Sequence, residues 1–239
     1  MDQFISRKLT ALNNQFYQSF SEHFSATRQR LQPGVLRIIE SLPPANDVLD
    51  LGCGNGQLAN EISTRNFQFN YLGVDFSGGL LSDAQNNQES SQFAFLELDF
   101  TAEDWTDHLP LKSFDVVLCF AALHHVPGYD LRSRICRDIH HLLRPGGIFI
   151  HSNWQFLKSD RLRKRILPWS TVEIKPEELE PGDYLIDWRR GGKGQRYVHY
   201  FSEEELIKLA EESSFQILET FYSDGKEGNL SIYQRWSPI

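Results

Sequence analysis

Cysteine is scarce: three in 239 residues, Cys53, Cys119 and Cys136, with no CxxC pair. So sparse and odd a count argues against a disulfide framework and against a structural zinc site. Cys119, inside the apolar run FDVVLCF, reads as a small buried hydrophobe. Long apolar runs are missing too. No stretch approaches the roughly 18 residues of a membrane span, and the opening MDQFISRKLTALNNQFYQSF has no continuous apolar core and no small-residue cleavage site. A cytoplasmic protein is expected. Positive charge is in deficit, 24 Lys and Arg against 32 Asp and Glu, a net charge of −8. The chain as a whole therefore lacks the basic surface of most nucleic-acid binders, and any such surface must be local.

What is present is alternation. Phe4, Ile5, Leu9, Leu12, Phe16, Tyr17 and Phe20 recur at helical spacing, and Pro33 opens a second helix, PGVLRIIESL. Then DVLDLG, YLGVD, FAFLELD, FDVVLCF and GIFIHSNW read as strands, separated mostly by helical segments such as QLANEISTRN and LRSRICRDIHHLL. Such alternation builds a mostly parallel sheet covered on both faces. SEEELIKLAEESS reads as a helix opened by a capping box, Ser202 with Glu205. FQILETFYS and NLSIYQRW, joined by the polar DGKEG, form an antiparallel hairpin. The expected fold is doubly wound α/β, a seven-stranded and mostly parallel sheet ending in that hairpin. The chain reads as one domain, 1–239, with a helical cap over about 1–45. A stretch without clean periodicity, about 154–200, reads as a substrate-side insertion, because long irregular segments in compact domains tend to be lids or binding loops.

The segment LDLGCGNG holds the chemical signal. Gly52, Gly54 and Gly56 follow a strand, where glycine lets the backbone approach a ligand. The dinucleotide fingerprint is GxGxxG; here the pattern is GxGxG with Asp50 inside the strand. An acid there suits an ammonium group better than a pyrophosphate. S-adenosylmethionine carries an ammonium and a sulfonium and no phosphate. Asp75, ending the second strand, is placed to accept ribose hydroxyls, and Asp99-Phe100 to receive an adenine amino group and ring.

In the order VLDLGCGNG, YLGVD, LELDF, SFDVVLCFAALHHV and LLRPGG, over about 48–147, the sequence resembles the class I S-adenosylmethionine-dependent methyltransferases. The resemblance implies a Rossmann-like methyltransferase fold and S-adenosyl-L-methionine as cofactor. It places cofactor contacts at Tyr17, Arg28, Asp50, Gly52, Gly54, Asp75, Phe76, Asp99, Phe100, Phe120 and His125. HFSATR and GQRYVHYFSEEEL look like counterparts in the tRNA wobble-uridine methyltransferases, which esterify a carboxymethyl group on the base; one of them is fused to an AlkB-type hydroxylase. That closer likeness implies tRNA as partner, a segment ending in Arg28 that closes over the methionine end of the cofactor, and a small zinc-binding activator subunit for the eukaryotic members.

A carboxylate is already ionised at pH 7, so its methylation needs placement and a nearby cation rather than a general base. Arg28 is the first candidate for that cation, with a surface arginine as the alternative. His124 is the candidate to orient the acceptor, or to deprotonate a hydroxyl or amine; of His124 and His125 one is expected to face the pocket and the other to point away. No carboxylate at ligand spacing accompanies the histidines, so no metal is expected. Two basic clusters interleaved with aromatics suit phosphate contact and base stacking. KSDRLRKRILPW is the weaker; WRRGGKGQRYVHY supplies the candidate substrate residues Arg189, Arg190, Lys193, Arg196, Tyr197 and His199. Rival readings are a small-molecule methyltransferase, a non-catalytic S-adenosylmethionine-binding partner protein and, least favoured by Asp50 and the hairpin, a dehydrogenase.

Overall fold

The computed structural model describes residues 1–27, 30–43, 45–65, 69–88 and 90–239, with the main chain alone for Phe24. Two helices lead, α1 (Gln3–Ser25), kinked at Phe20, and α2 (Pro33–Glu40). The alternating part follows as β1 (Asp47–Leu51), α3 (Gln57–Ser63), β2 (Asn70–Asp75), α4 (Gly78–Asn86), β3 (Phe93–Glu97), β4 (Phe114–Phe120), α5 (Tyr129–Leu142) and β5 (Leu143–Trp154). The central strands are apolar in continuous runs because both their faces are covered. Leu49, Leu51 and Val117 point into one core with Ile135, Cys136 and Ile139 of α5. Val48, Val116 and Leu118 point the other way, against Ile38 and Ile39 of α2 and Leu58 and Ile62 of α3.

After β5 come α6 (Asp160–Arg163), β6 (Ile166–Leu167), β7 (Asp183–Trp188) and β8 (Gly194–His199). These three strands form an antiparallel sheet of their own, in the order β6-β7-β8. The segment expected to be irregular is thus partly ordered. All four residues Arg196 to His199 of β8 are buried, so the strand shows no alternation by which to recognise it.

The chain ends with α7 (Glu203–Glu212), β9 (Phe215–Ser223) and β10 (Ser231–Pro238). The large sheet runs β3-β2-β1-β4-β5-β10-β9, parallel from β3 to β5, with β10 antiparallel to both its neighbours. This is the expected seven-stranded sheet closed by a hairpin. Ser202 caps α7, its Oγ accepting the Glu205 amide at 3.1 Å. The other half of the expected capping box is not made. The Glu205 side chain goes instead to His199, at 2.9 Å, and Arg132, at 3.2 Å. No described helix is long and apolar enough to cross a membrane.

Candidate active site

In an α/β sheet of this kind, ligands sit beyond the carboxyl ends of the strands where the winding reverses, here between β1 and β4. A cleft of about 370 Å³ lies there, and α1 contributes Asn13, Asn14 and Tyr17 to its wall. The glycine turn after β1 forms its floor. Gly52 and Gly54 take φ of +75° and +57°, which L side chains adopt at a cost. A Cβ at Gly52 would lie 2.6 Å from the Ala122 Cβ, whereas one at Gly54 would meet nothing within 4 Å. Gly52 is therefore needed for packing, and Gly54 leaves space open beside the cleft. Opposite, Ala121 sits at φ +52°, held by hydrogen bonds from its amide to the Ser152 carbonyl and hydroxyl. Left-handed backbone at a non-glycine residue is strain of the sort that collects at functional sites.

Two carboxylates line the floor. Asp50 is buried, takes one hydrogen bond from the Tyr71 hydroxyl, and is pushed up to about 7, chiefly by burial. Asp75 accepts the amides of Gly54 at 3.0 Å and Ser77 at 2.9 Å, and burial pushes it up to about 6. A carboxylate has about four lone-pair sites, so Asp75 keeps room for a further donor. Asp99 accepts the Thr101 amide at 2.9 Å and lies 3.4 Å from Asn14 Nδ2. Phe76, Phe100 and Phe120 complete this part of the wall.

The two histidines sit on a single 3-10 turn after β4, and both line the cleft; the expectation that one would point away is corrected by that turn. The Trp154 amide can only donate, so at 3.3 Å His124 Nδ1 is the acceptor and the ring hydrogen is on Nε2. For His125, the Tyr197 carbonyl at 3.0 Å can only accept, which puts a hydrogen on Nδ1. Its Nε2 then accepts from the Tyr17 hydroxyl at 2.8 Å, while the same hydroxyl oxygen accepts Arg196 Nη1 at 3.2 Å. One directional chain results: Arg196 to Tyr17 to His125 to the backbone.

Of the residues expected to bind substrate, Arg196 alone lines the cleft. Arg189, Arg190 and Lys193 are exposed on the turn between β7 and β8, with Arg189 ion-paired to Asp187. Tyr197 and His199 are corrected. Both are completely buried, the Tyr197 hydroxyl donating to Asp183 at 2.7 Å and the two His199 ring nitrogens facing Asp183 and Glu205. They brace the small sheet and offer a substrate no polar atom. Arg28 lies outside the described residues. The site also holds a residue the sequence reading passed over. Asn13, buried in α1, donates to the carbonyls of His125 and Tyr197 and accepts the Tyr197 amide, so it ties the helix to the turn after β4 and to strand β8. Its signal was a polar residue four positions after Leu9 on the apolar face.

Residues 43–213 match a family described as a methyltransferase domain. The chain belongs to this methyltransferase family. A protein of Encephalitozoon cuniculi named as a methyltransferase is 30% identical over 211 residues, 86% of this chain and 88% of its own. The tRNA (carboxymethyluridine(34)-5-O)-methyltransferase of Schizosaccharomyces pombe is 26% identical over 223 residues, 87% of this chain and 90% of that one. A solved S-adenosylmethionine-dependent methyltransferase from Methanosarcina mazei shares the fold with a TM-score of 0.65 at 23% identity, covering 87% of this chain and 98% of that one. The cofactor of this methyltransferase is S-adenosylmethionine. The cleft fits it: a buried carboxylate with a raised pKa at Asp50 suits a cationic amino group, and the room left by Gly54 suits close backbone approach. Among the described residues no group of three or more His, Cys, Asp or Glu is arranged to hold a metal.

Proposed function

We propose that this methyltransferase transfers the methyl group to a carboxylate on tRNA, the carboxymethyl group of a wobble uridine being the leading acceptor. The observation that carries the reading is the polarity of the two cleft histidines. His124 Nδ1 is engaged by the Trp154 amide and His125 Nε2 by the Tyr17 hydroxyl. The nitrogen that would take a proton is occupied in each ring. A hydroxyl or amine acceptor needs such a base; a carboxylate, ionised at pH 7, does not. His124 is assigned to orient the acceptor oxygen.

S-adenosylmethionine supplies, when bound, a methyl on a positively charged sulfur that a well-placed anionic oxygen attacks in line. Asp50 holds its amino group, Asp75 its ribose hydroxyls, and Asp99 with Phe100 its adenine. Tyr17, Phe76, Phe120 and His125 close the cleft around it, with Arg28 assigned to the methionine end. The whole chain acts as one domain, α1 and α2 capping the cofactor and residues 154–200 facing the acceptor.

Two facts support tRNA. The S. pombe relative aligns along nearly the whole of both chains. Arg189, Arg190 and Lys193 form an exposed basic turn next to Trp188, which packs on Phe16 and Tyr17 of the cleft's capping helix. The net charge of −8 favours a second reading, a small carboxylic acid as acceptor. The test is methyl transfer from labelled S-adenosylmethionine into total tRNA, with digestion to nucleosides, with and without a small activator subunit. Label in a uridine derivative, released by mild alkali as an ester would be, supports the proposal. Calorimetric cofactor binding without any incorporation into tRNA, in either condition, contradicts it.

A further inference from the structure

Two arginines are buried among the described residues, and the fold treats them oppositely. Arg132 has the usual compensation: Glu180 at 2.9 Å, Glu205 at 3.2 Å and the Val126 carbonyl at 3.1 Å. Arg196, 6% exposed, has no carboxylate within ion-pairing distance among the described residues. Its guanidinium lies 5.3 Å from the ring of Phe16, 5.5 Å from Trp154 and 5.7 Å from Trp188. Nη1 donates to the Tyr17 hydroxyl, and Nε has no hydrogen-bond partner.

Aromatic faces attract a cation but do not neutralise it. A buried charge without a counter-charge is among the more expensive features a fold can retain. A counter-charge can reach it from the cleft, which the side chain lines together with Tyr17 and Trp154. The Tyr17 hydroxyl cannot serve, since its hydrogen is committed to His125 and its oxygen already accepts from Arg196.

We propose that Arg196, held in its cage of Phe16, Trp154 and Trp188, is the residue that selects an anionic acceptor, receiving the acceptor's carboxylate on its terminal nitrogens. The inference rests on the proposed function for the direction of approach and adds to it the residue that sets specificity. The cage does two jobs. It lowers the local dielectric, which enlarges the difference between an acid and its neutral isostere. It also orients a planar fork matched to a carboxylate, which a lysine ammonium reproduces only in charge.

The test uses two matched pairs of probes: 5-carboxymethyluridine and its 5-carbamoylmethyl amide, each as the free nucleoside and within a synthetic anticodon stem-loop. Binding is measured on the full chain with S-adenosylhomocysteine present. The wild type should prefer acid to amide by about tenfold or more, the scale of one hydrogen bond to a charged group. With S-adenosylhomocysteine brought to saturation for each variant, Arg196→Met should bring that ratio near unity, and Arg196→Lys should recover part of it. If Arg196→Met does not fold, Arg196→Gln carries the same comparison. An undiminished acid preference in the variant overturns the proposal, as does a wild type that shows none with either pair. Acid preference for the nucleoside without binding of the stem-loop keeps Arg196 in its role and removes tRNA as the acceptor.

Discussion

Tyr17 and His125 share a hydrogen bond of 2.8 Å that ties the capping helix to the loop after β4. The ring is fixed at its other end by the Tyr197 carbonyl, so the hydroxyl closes a bridge across three separate parts of the chain. Tyr17→Phe removes the partner of both His125 Nε2 and Arg196 Nη1. We expect a loss of about 1–3 kcal/mol, the range for buried polar groups left unsatisfied. Urea denaturation reads it; an unchanged midpoint contradicts it.

Asp50 should give stability and cofactor binding opposite dependences on pH. Burial raises its carboxyl from 3.8 to about 7, with the Tyr71 hydrogen bond opposing and the Asp75 charge adding. Since the folded-state value is raised, the stability it contributes is complete below about pH 4 and is lost as pH rises through about 7. Asp75, raised to about 6, has the same sign. Thermal melts without cofactor should therefore weaken from pH 5 toward 8, whereas affinity for S-adenosylmethionine rises as Asp50 ionises. Asp50→Asn should flatten both curves. Curves that keep their shape in the variant count against this assignment.

The glycine turn separates packing from binding. Gly52→Ala combines left-handed backbone with a clash against Ala122, and should cost about 2–4 kcal/mol. Gly54→Ala meets no protein atom and should cost about 1–2 kcal/mol of backbone strain. Calorimetry should nevertheless show the larger loss of cofactor affinity per unit of stability at Gly54. Equal effects of the two on both quantities would contradict the assignment.

For the basic turn, Arg189→Ala with Arg190→Ala should weaken tRNA binding and leave S-adenosylmethionine affinity unchanged. The slope of log K against log salt should fall by about 1–2, or 0.7–0.9 for each phosphate contact removed. An unaltered slope would mean the turn does not touch the RNA.

The sheet and the glycine-and-carboxylate floor of the cleft were legible because local chemistry determines them. An apolar run ending in Asp50-Leu-Gly-Cys-Gly, or in Asp75, announces a strand and its carboxyl end whatever lies far away. The surroundings of β8 were less legible because its residues are defined by partners distant in sequence. Arg196, Tyr197 and His199 look alike in the text, a cation, a ring and an imidazole in one basic stretch. Asp183, Glu205 and Asn13 enclose two of them, and three aromatic rings leave the third facing the cleft. The same holds for Glu205, whose cap position was correct and whose side chain was claimed by His199. His124 and His125 share the cleft because a 3-10 turn, not an extended strand, carries them.

On the proposed function the acceptor oxygen arrives already ionised and the site removes no proton. The most direct test compares methyl transfer to two acceptors of matched shape, 5-carboxymethyluridine and 5-(2-hydroxyethyl)uridine, each in the same anticodon stem-loop and as free nucleoside, at saturating S-adenosylmethionine. We expect an alkali-labile ester from the acid and no ether from the alcohol. Methylation of the alcohol at a comparable rate would show that one of the histidines serves as a base and would contradict it.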